Sequence, residues 1–397
     1  MNLLIVTGFW PTKSNAITGI FVAQQVSAFA RLGCKVTVVL GRFWGRPFAQ
    51  YISAEELGLD TSRVRLIEIS FLRLPEKMSG FFGSLWLNIA LSRLTFKRGI
   101  VEIVRDFGPF DGCVVHGVRY SGLSLPSWRS SVQGGTAIVL HGVDPYFEKQ
   151  LNIRRGKKFC QKASEVANAV ILVGNPLKPH ALSLGISSDK LCVVQNGTEL
   201  PHPNLVADVQ RFSPATRRVI SVSNLVALKG IDLNLRALAA LASRRPDMSW
   251  SYHIIGEGPE RERLISLARS LGISERVHFL GRISYEETMR AVADADVFSL
   301  PSWSEAFGIV YLEAMARMRP VIGCFGNGAA DIITHEVDGL LVPPHDVSAL
   351  EVALEVLIES PELCKQLGSN GRKKAEEFSW EHNAQRLLSI LGIKSES

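Results

Sequence analysis

Leu300-Pro301-Ser302-Trp303-Ser304-Glu305-Ala306-Phe307-Gly308-Ile309-Val310-Tyr311-Leu312-Glu313-Ala314-Met315-Ala316 reads as a strand end, a loop and a helix. The strand is the apolar run 297–300, and the helix is expected to open near Ala306 or Phe307. Continuous apolar runs of this length suit parallel strands that are buried on both faces. A strand that feeds a helix through a short loop is the repeating unit of a doubly wound α/β sheet.

The same unit recurs on both sides of this stretch. Upstream, runs at 219–222, 251–255 and 277–280 read as strands, and downstream so do 320–323 and 339–342. Residues 198–217 break the series: they contain Pro201, Pro203 and Pro214 and little periodicity, which marks a linker. Before the break lies another set of strands, at 3–6, 36–40, 64–69, 112–115, 137–140, 169–173 and 191–194, interleaved with helical segments such as 22–32 and 154–167. The expected class is therefore α/β, with two Rossmann-like doubly wound parallel sheets: a domain at 1–200, a linker at 201–216 and a domain at 217–379. No sequence repeat relates the halves. Ligands of such sheets bind beyond the carboxyl ends of the strands, so two sheets that face each other would hold theirs in a cleft.

The chain's 397 residues are too many for one ordinary core, in keeping with two domains. Hydrophobic residues at 46% and charged residues at 21% fit a globular protein and exclude disorder. A net charge of +6 favours anionic partners such as nucleotides or an acidic membrane surface, but it is too small to imply nucleic acid, and no nucleic-acid-binding motif is present. The six cysteines are scattered without a C-x-x-C pair, so they are read as reduced, buried thiols. The N-terminus reads as a first strand rather than a signal peptide, and no apolar run approaches a membrane span. A cytoplasmic location is expected. Residues 71–105 mix Phe81, Phe82, Leu85 and Trp86 with Arg73, Lys77, Arg93, Lys97 and Arg98. They read either as an amphipathic helix pair packed on the sheet or as a surface that meets the inner face of an anionic membrane.

The chemistry is concentrated in three residues. Glu305 and Glu313 are eight residues apart, about two helical turns, so they are expected to lie on similar sides of the helix at different depths, one carboxylate meeting a ligand at the helix mouth and the other reaching a different part of it. An acidic residue that merely complements the helix dipole explains Glu305, but it explains Glu313 poorly, because Glu313 lies among Val310, Tyr311, Leu312, Ala314 and Met315 and so needs a partner. Lys229, in Val222-Ser223-Asn224-Leu225-Val226-Ala227-Leu228-Lys229-Gly230, places a cation at a strand-to-helix turn, where it suits either an ordinary surface lysine or the neutralisation of a departing diphosphate.

The chain resembles the retaining GT-B glycosyltransferases of family 4, whose signature is Glu-x7-Glu. The blocks that carry the likeness are Ile254-Ile255-Gly256-Glu257-Gly258-Pro259, Val277-His278-Phe279-Leu280-Gly281-Arg282, the Glu305–Glu313 stretch and Asp338-Gly339-Leu340-Leu341-Val342-Pro343-Pro344. The Gly256-x-Gly258 element is not a dinucleotide fingerprint, since Arg261 stands at the third glycine position. The resemblance makes Glu313 the ribose carboxylate, Glu305 the residue beside the donor sugar and Lys229 the diphosphate lysine. Phe307, Gly308, Ile309 and Val310 would bring backbone to the sugar and phosphates, and Arg282 would lie near the base. In the first domain it places Gly19 at a turn near the phosphates and His141 facing the sugar, with Asp144 and His116 as candidates on the acceptor side. Either histidine also fits a hydrogen-bonded loop residue. Three positions depart from the pattern. Asn224 replaces the usual arginine five residues before Lys229, Thr18 stands beside Gly19 where a second glycine is common, and Glu199 replaces the aspartate of an Asn-Gly-x-Asp element.

The implied reaction moves a hexose from a UDP- or GDP-sugar to a hydroxyl of a glycan or lipid-linked glycan. It proceeds with retention, by front-face substitution and without a metal, since no Asp-x-Asp motif appears near a strand end. The resemblance extends to bacterial capsule, exopolysaccharide and teichuronic acid assembly, and it implies that a helix at about 380–393 returns to the first domain. Two other readings remain: a GT-B sugar-nucleotide epimerase, which needs no acceptor, and a noncatalytic nucleotide-sugar-binding protein.

Overall fold

The computed structural model of the protein describes residues 1–43, 50–71, 84–142, 154–201 and 216–394. The chain divides into two compact units. One comprises Met1–Asn196 together with Trp380–Ser397, and the other is Gly197–Ser379.

Among the described residues, the first unit holds seven strands: β1 (Asn2–Thr7), β2 (Lys35–Phe43), β3 (Val64–Phe71), β4 (Gly112–His116), β5 (Gly135–Leu140), β6 (Ala169–Leu172) and β7 (Leu191–Val193). Their order is β3-β2-β1-β4-β5-β6-β7, and the neighbouring strands pair in parallel. Leu3, Leu4, Ile5 and Val6 are buried, as is Val114 on the next strand, which is why these segments read as continuous apolar runs and not as alternating ones. The direction of winding reverses between β1 and β4, so the loops after those two strands diverge and leave a crevice at their carboxyl ends.

Among the described residues, the second unit holds β8 (Arg217–Val222), β9 (Trp250–Ile255), β10 (Val277–Gly281), β11 (Val297–Ser299), β12 (Val321–Cys324) and β13 (Leu340–Val342), in the order β10-β9-β8-β11-β12-β13. Its reversal falls between β8 and β11. A buried polar knot ties that point together. Asn234, on the helix Ile231–Arg244, donates to the Tyr252 hydroxyl at 2.9 Å and to the Ser299 carbonyl at 3.1 Å, and the Ser299 hydroxyl donates back to its Oδ1 at 2.7 Å. A fully satisfied network of this kind fixes one arrangement of strands β8, β9 and β11 beneath the loops that follow them.

The helix Trp380–Ile390 belongs to the first unit, where it packs on the helix Ile20–Arg31. The Trp380 indole N–H donates to Gln24 Oε1 at 3.1 Å, and Gln25 Nε2 donates to Asn383 Oδ1 at 2.6 Å. Of the linker expected at 201–216, residues 202–215 lie outside the described residues.

The stretch 71–105 lies only in part within the described residues. Its described part is one helix, Ser84–Phe107, while 72–83, with Arg73, Lys77, Phe81 and Phe82, lie outside the described residues. The helix packs closely on β3 because Gly99 has no side chain: a Cβ there would stand 2.8 Å from Ile69 Cδ1. Arg93 is turned inward, with Nε donating to the Leu123 carbonyl at 3.0 Å and the guanidinium 4.4 Å from the centre of the Phe159 ring. Leu87, Leu94 and Val101 recur every seven residues and are exposed.

Candidate active site

The loops that follow β8 and β11 meet at the reversal of the second sheet. Gly230, in the left-handed region at φ 68, closes the turn that carries Lys229, and a Cβ at this position would stand 2.3 Å from the Pro301 carbonyl oxygen. The Trp303 N–H and the Ser302 hydroxyl both donate to the Leu228 carbonyl, at 3.1 and 3.0 Å. These contacts bring Lys229 Nζ to within 2.5 Å of Glu305 Oε2, and both side chains are largely shielded. A shielded ammonium–carboxylate pair is charge-assisted and fixed in place, so an incoming anion finds the lysine already positioned.

The helix after Glu305 is shorter than the sequence suggests. It runs Ile309–Met315, because Gly308 adopts φ 91, which no right-handed helix accommodates. Glu305 is therefore a loop residue and only Glu313 is helical, so the inference that both lie along one helical face does not hold. Gly308 is required where it stands, since a Cβ would fall 2.6 Å from the Tyr311 ring. Phe307 is buried, while Ile309 and Val310 form the first turn. Glu313 is also buried, and Tyr285, the first residue of the helix Tyr285–Ala293, donates its hydroxyl to Glu313 Oε1 at 2.9 Å. Burial raises the Glu313 carboxyl's pKa, against the Tyr285 hydrogen bond and the Arg317 charge, which lower it, while Glu199 raises it further. Asn224 is exposed at the end of β8, and Arg282 is exposed just beyond β10.

In the first unit, His116 ends β4 and His141 follows β5, and the structure pairs them. His116 Nδ1 lies 2.8 Å from His141 Nε2, and the rings stack with centroids 5.0 Å apart. Phe9 and Phe21 flank His141, at 5.7 and 4.6 Å between centroids. Burial lowers both imidazole pKa values, that of His141 to about 3, so the pair stays neutral at physiological pH. One ring then donates and the other accepts, which leaves His116 Nε2 and His141 Nδ1 buried without a protein partner. Gly19 caps the helix Ile20–Arg31 at φ 84, and a Cβ there would stand 2.4 Å from the Trp10 nitrogen. Its first need for glycine is thus the chain's own backbone. Asp144 lies outside the described residues.

Several residues that hold the second-unit loops carry no motif of their own. Asn327 donates through Nδ2 to the Ser302 carbonyl at 2.8 Å, and the Gly328 N–H donates to the Glu305 carbonyl at 2.9 Å. Tyr285 was equally invisible. The only cue was the Ser284-x-x-Glu287 spacing before it, which forms a capping box.

Residues 208–374 match the family of glycosyl transferases group 1. The fold is GT-B, with two Rossmann-like parallel-sheet domains. It is shared with sucrose-phosphate synthase from Thermosynechococcus elongatus, at a TM-score of 0.73 and 22% identity over 98% of each chain. It is likewise shared with the Anabaena protein HepE in complex with UDP and glucose, at a TM-score of 0.72 and 19% identity over 99% of each chain. The chain is also similar to the D-inositol 3-phosphate glycosyltransferase of Rhodococcus erythropolis, 34% identical over 46% of each chain. It is 34% identical, over 46% of its length and 54% of the relative's, to a GDP-mannose-dependent monoacylated alpha-(1-6)-phosphatidylinositol monomannoside mannosyltransferase of Corynebacterium glutamicum. The chain spans about half the length of these curated relatives.

Proposed function

We propose that the protein is a retaining glycosyltransferase that moves a hexose from a UDP- or GDP-sugar to a hydroxyl of a glycan or lipid-linked glycan in bacterial cell-surface polysaccharide assembly. The observation that carries this reading is the Lys229–Glu305 pair at the reversal of a sheet whose residues match the group 1 family, with Glu313 buried eight residues further on. Lys229 would neutralise the leaving diphosphate, Glu305 would hold that lysine and meet the donor sugar, and Glu313 would bind the ribose. Phe307, Gly308, Ile309 and Val310 would line the sugar and phosphates, with Asn224 and Arg282 further out. His141, oriented by His116, would serve the donor sugar from the first unit, and Asp144 the acceptor. The leaving diphosphate would take the acceptor's proton, so the enzyme's work is positioning and charge stabilisation.

The test is a donor screen. UDP- and GDP-sugars are mixed with the protein in the presence of a chelator, and thermal stabilisation and nucleoside diphosphate release are recorded. One donor is expected to stabilise the protein and to be slowly hydrolysed without metal, with stabilisation lost in Glu313→Ala. Binding with no transfer to any acceptor would favour a noncatalytic binder, and an isomerised sugar nucleotide would favour an epimerase. Binding of neither donor sinks the reading. The relatives add inositol phosphate and mannosylated phosphatidylinositol to the acceptors to be tried.

A cytoplasmic protein that works on a lipid-linked acceptor must meet the membrane's inner face. Among the described residues, no helix is long and apolar enough to cross a membrane. The exposed Leu87, Leu94 and Val101 on the helix Ser84–Phe107, with Lys97 beside them, support a peripheral contact. Leu94→Glu is expected to reduce sedimentation with phosphatidylglycerol vesicles severalfold while leaving donor binding intact. Equal sedimentation of variant and parent would refute the contact.

A further inference from the structure

Glu313 presents a puzzle of supply. It is buried on a helix whose neighbouring residues Tyr311, Leu312, Ala314 and Met315 are buried too. A carboxylate in such surroundings needs a donor that is always present. Arg317 faces it, yet Arg317 Nη1 is bonded to the Glu313 main-chain carbonyl at 2.9 Å, not to the carboxyl group. Glu199, the other charged group that acts on it, repels. The Tyr285 hydroxyl, at 2.9 Å from Oε1, is the hydrogen bond that meets the side chain itself.

Tyr285 is built to hold that position. It is the first residue of its helix, directly after Ser284, whose hydroxyl accepts the Glu287 N–H at 3.2 Å while Glu287 Oε2 accepts the Ser284 N–H at 2.9 Å. This reciprocal cap fixes the helix start, and with it the tyrosine's point of departure. The loop immediately before it carries Gly281 and Arg282.

We propose that Tyr285 is a positioning residue for nucleoside recognition: by bonding Glu313 Oε1 it orients the carboxylate so that Oε2 is presented to the vicinal hydroxyls of a ribose. The inference rests on the reading of Glu313 as the ribose carboxylate. A carboxylate with one oxygen tethered keeps its second in a fixed direction, and a tethered acceptor discriminates between a ligand that has the two hydroxyls and one that lacks them. Removing the tether lets the carboxyl rotate. It also lifts the carboxyl's pKa further, because burial then acts with one opposing hydrogen bond fewer. Ionised Glu313 would then be lost at a higher pH as the solution is acidified.

The experiment compares binding of UDP and GDP with that of their 2′,3′-dideoxy analogues by calorimetry, between pH 5 and 8, for the parent, Tyr285→Phe and Glu313→Gln. The parent is expected to prefer the ribose form of one nucleotide. Tyr285→Phe should weaken that form by about tenfold, leave the dideoxy form within about twofold, and move the acid limb of binding to higher pH. Turnover at saturating donor should change far less than KM. Weaker binding of both forms with discrimination intact would mean a merely structural role and would overturn the proposal. Full affinity and discrimination in Tyr285→Phe, with discrimination lost in Glu313→Gln, would overturn it while leaving the ribose reading standing. A parent that binds neither nucleotide would instead sink the functional reading beneath it.

Discussion

Lys229→Ala is expected to lower turnover by about 10²- to 10³-fold, the range seen when one preorganised donor to a developing charge is removed. The charge in question is the second negative charge that the terminal phosphate of the nucleoside diphosphate acquires as its bond to the sugar breaks. A group that meets this charge only as it develops acts on the barrier, so kcat should fall much more than KM rises. The geometry sets the magnitude: Lys229 is held 2.5 Å from Glu305 and largely shielded from water, where a charge is worth more than on an exposed surface. Asn224 raises the stakes, because the position five residues earlier supplies an amide that carries no charge.

The alanine variant also strands the Glu305 carboxylate, and an unpaired shielded carboxylate costs stability by itself. The double variant Lys229→Ala/Glu305→Ala separates the two effects. It is expected to recover thermal stability relative to Lys229→Ala without recovering turnover. Lys229→Arg keeps the charge but replaces a point ammonium with a planar fork, so an intermediate loss is expected. Turnover of Lys229→Ala within threefold of the parent, at saturating donor, would remove this lysine from the mechanism.

Much of this was legible in the sequence because burial leaves a mark on composition. The central strands β1, β4 and β6 read as continuous apolar runs, since a parallel strand covered on both faces has no solvent side to display, while the edge strands β3 and β10 show exposed Arg65, Glu68 and His278. The loop glutamate and lysine were legible only together, because Lys229 by itself reads as an ordinary surface lysine and gains meaning from the Glu305–Glu313 block that accompanies it. What failed to show was contact across sequence distance. Nothing local to Tyr285 announces Glu313, 28 residues away, nor does Asn327 announce Ser302, 25 residues away. The pairing of His116 with His141 was similarly hidden: each ends a strand, and only the adjacency of β4 and β5 joins them. The helix start was misjudged for another reason. Ala306 and Phe307 are acceptable helix formers, and the block lies at Gly308, whose left-handed backbone reflects the Tyr311 ring packed against it. Propensity cannot report a steric demand of that kind.

Gly256-x-Gly258 shows how a familiar pattern can have an unfamiliar cause, and it yields the second large effect. Gly256 follows β9 at φ 135, a region nearly closed to other residues, and its N–H donates to the Gly281 carbonyl at 2.8 Å. A Cβ there would stand 1.8 Å from the Ser223 carbonyl oxygen, and one on Gly258 would stand 2.3 Å from the Leu225 carbonyl oxygen. These two glycines let the loop after β9 lie flat against the strand end that leads to Lys229, where Leu225 N–H donates to the Glu257 carbonyl at 3.0 Å. Gly256→Ala must therefore displace backbone, not a flexible side chain. The loss is expected to be about 3 kcal/mol or more, from backbone strain and overpacking together. Gly272 provides the control: it has φ 72 but nothing within 4 Å of its Cβ position. Gly272→Ala should cost only the left-handed penalty, about 1 kcal/mol. Urea unfolding followed by fluorescence, in a background where the other six tryptophans are replaced by phenylalanine so that Trp250, buried on β9, reports alone, reads the second unit. A Gly256→Ala cost no larger than that of Gly272→Ala would show that the strand ends have room to part. Lys229 would then owe its place to the contacts with Pro301, Ser302 and Trp303 alone.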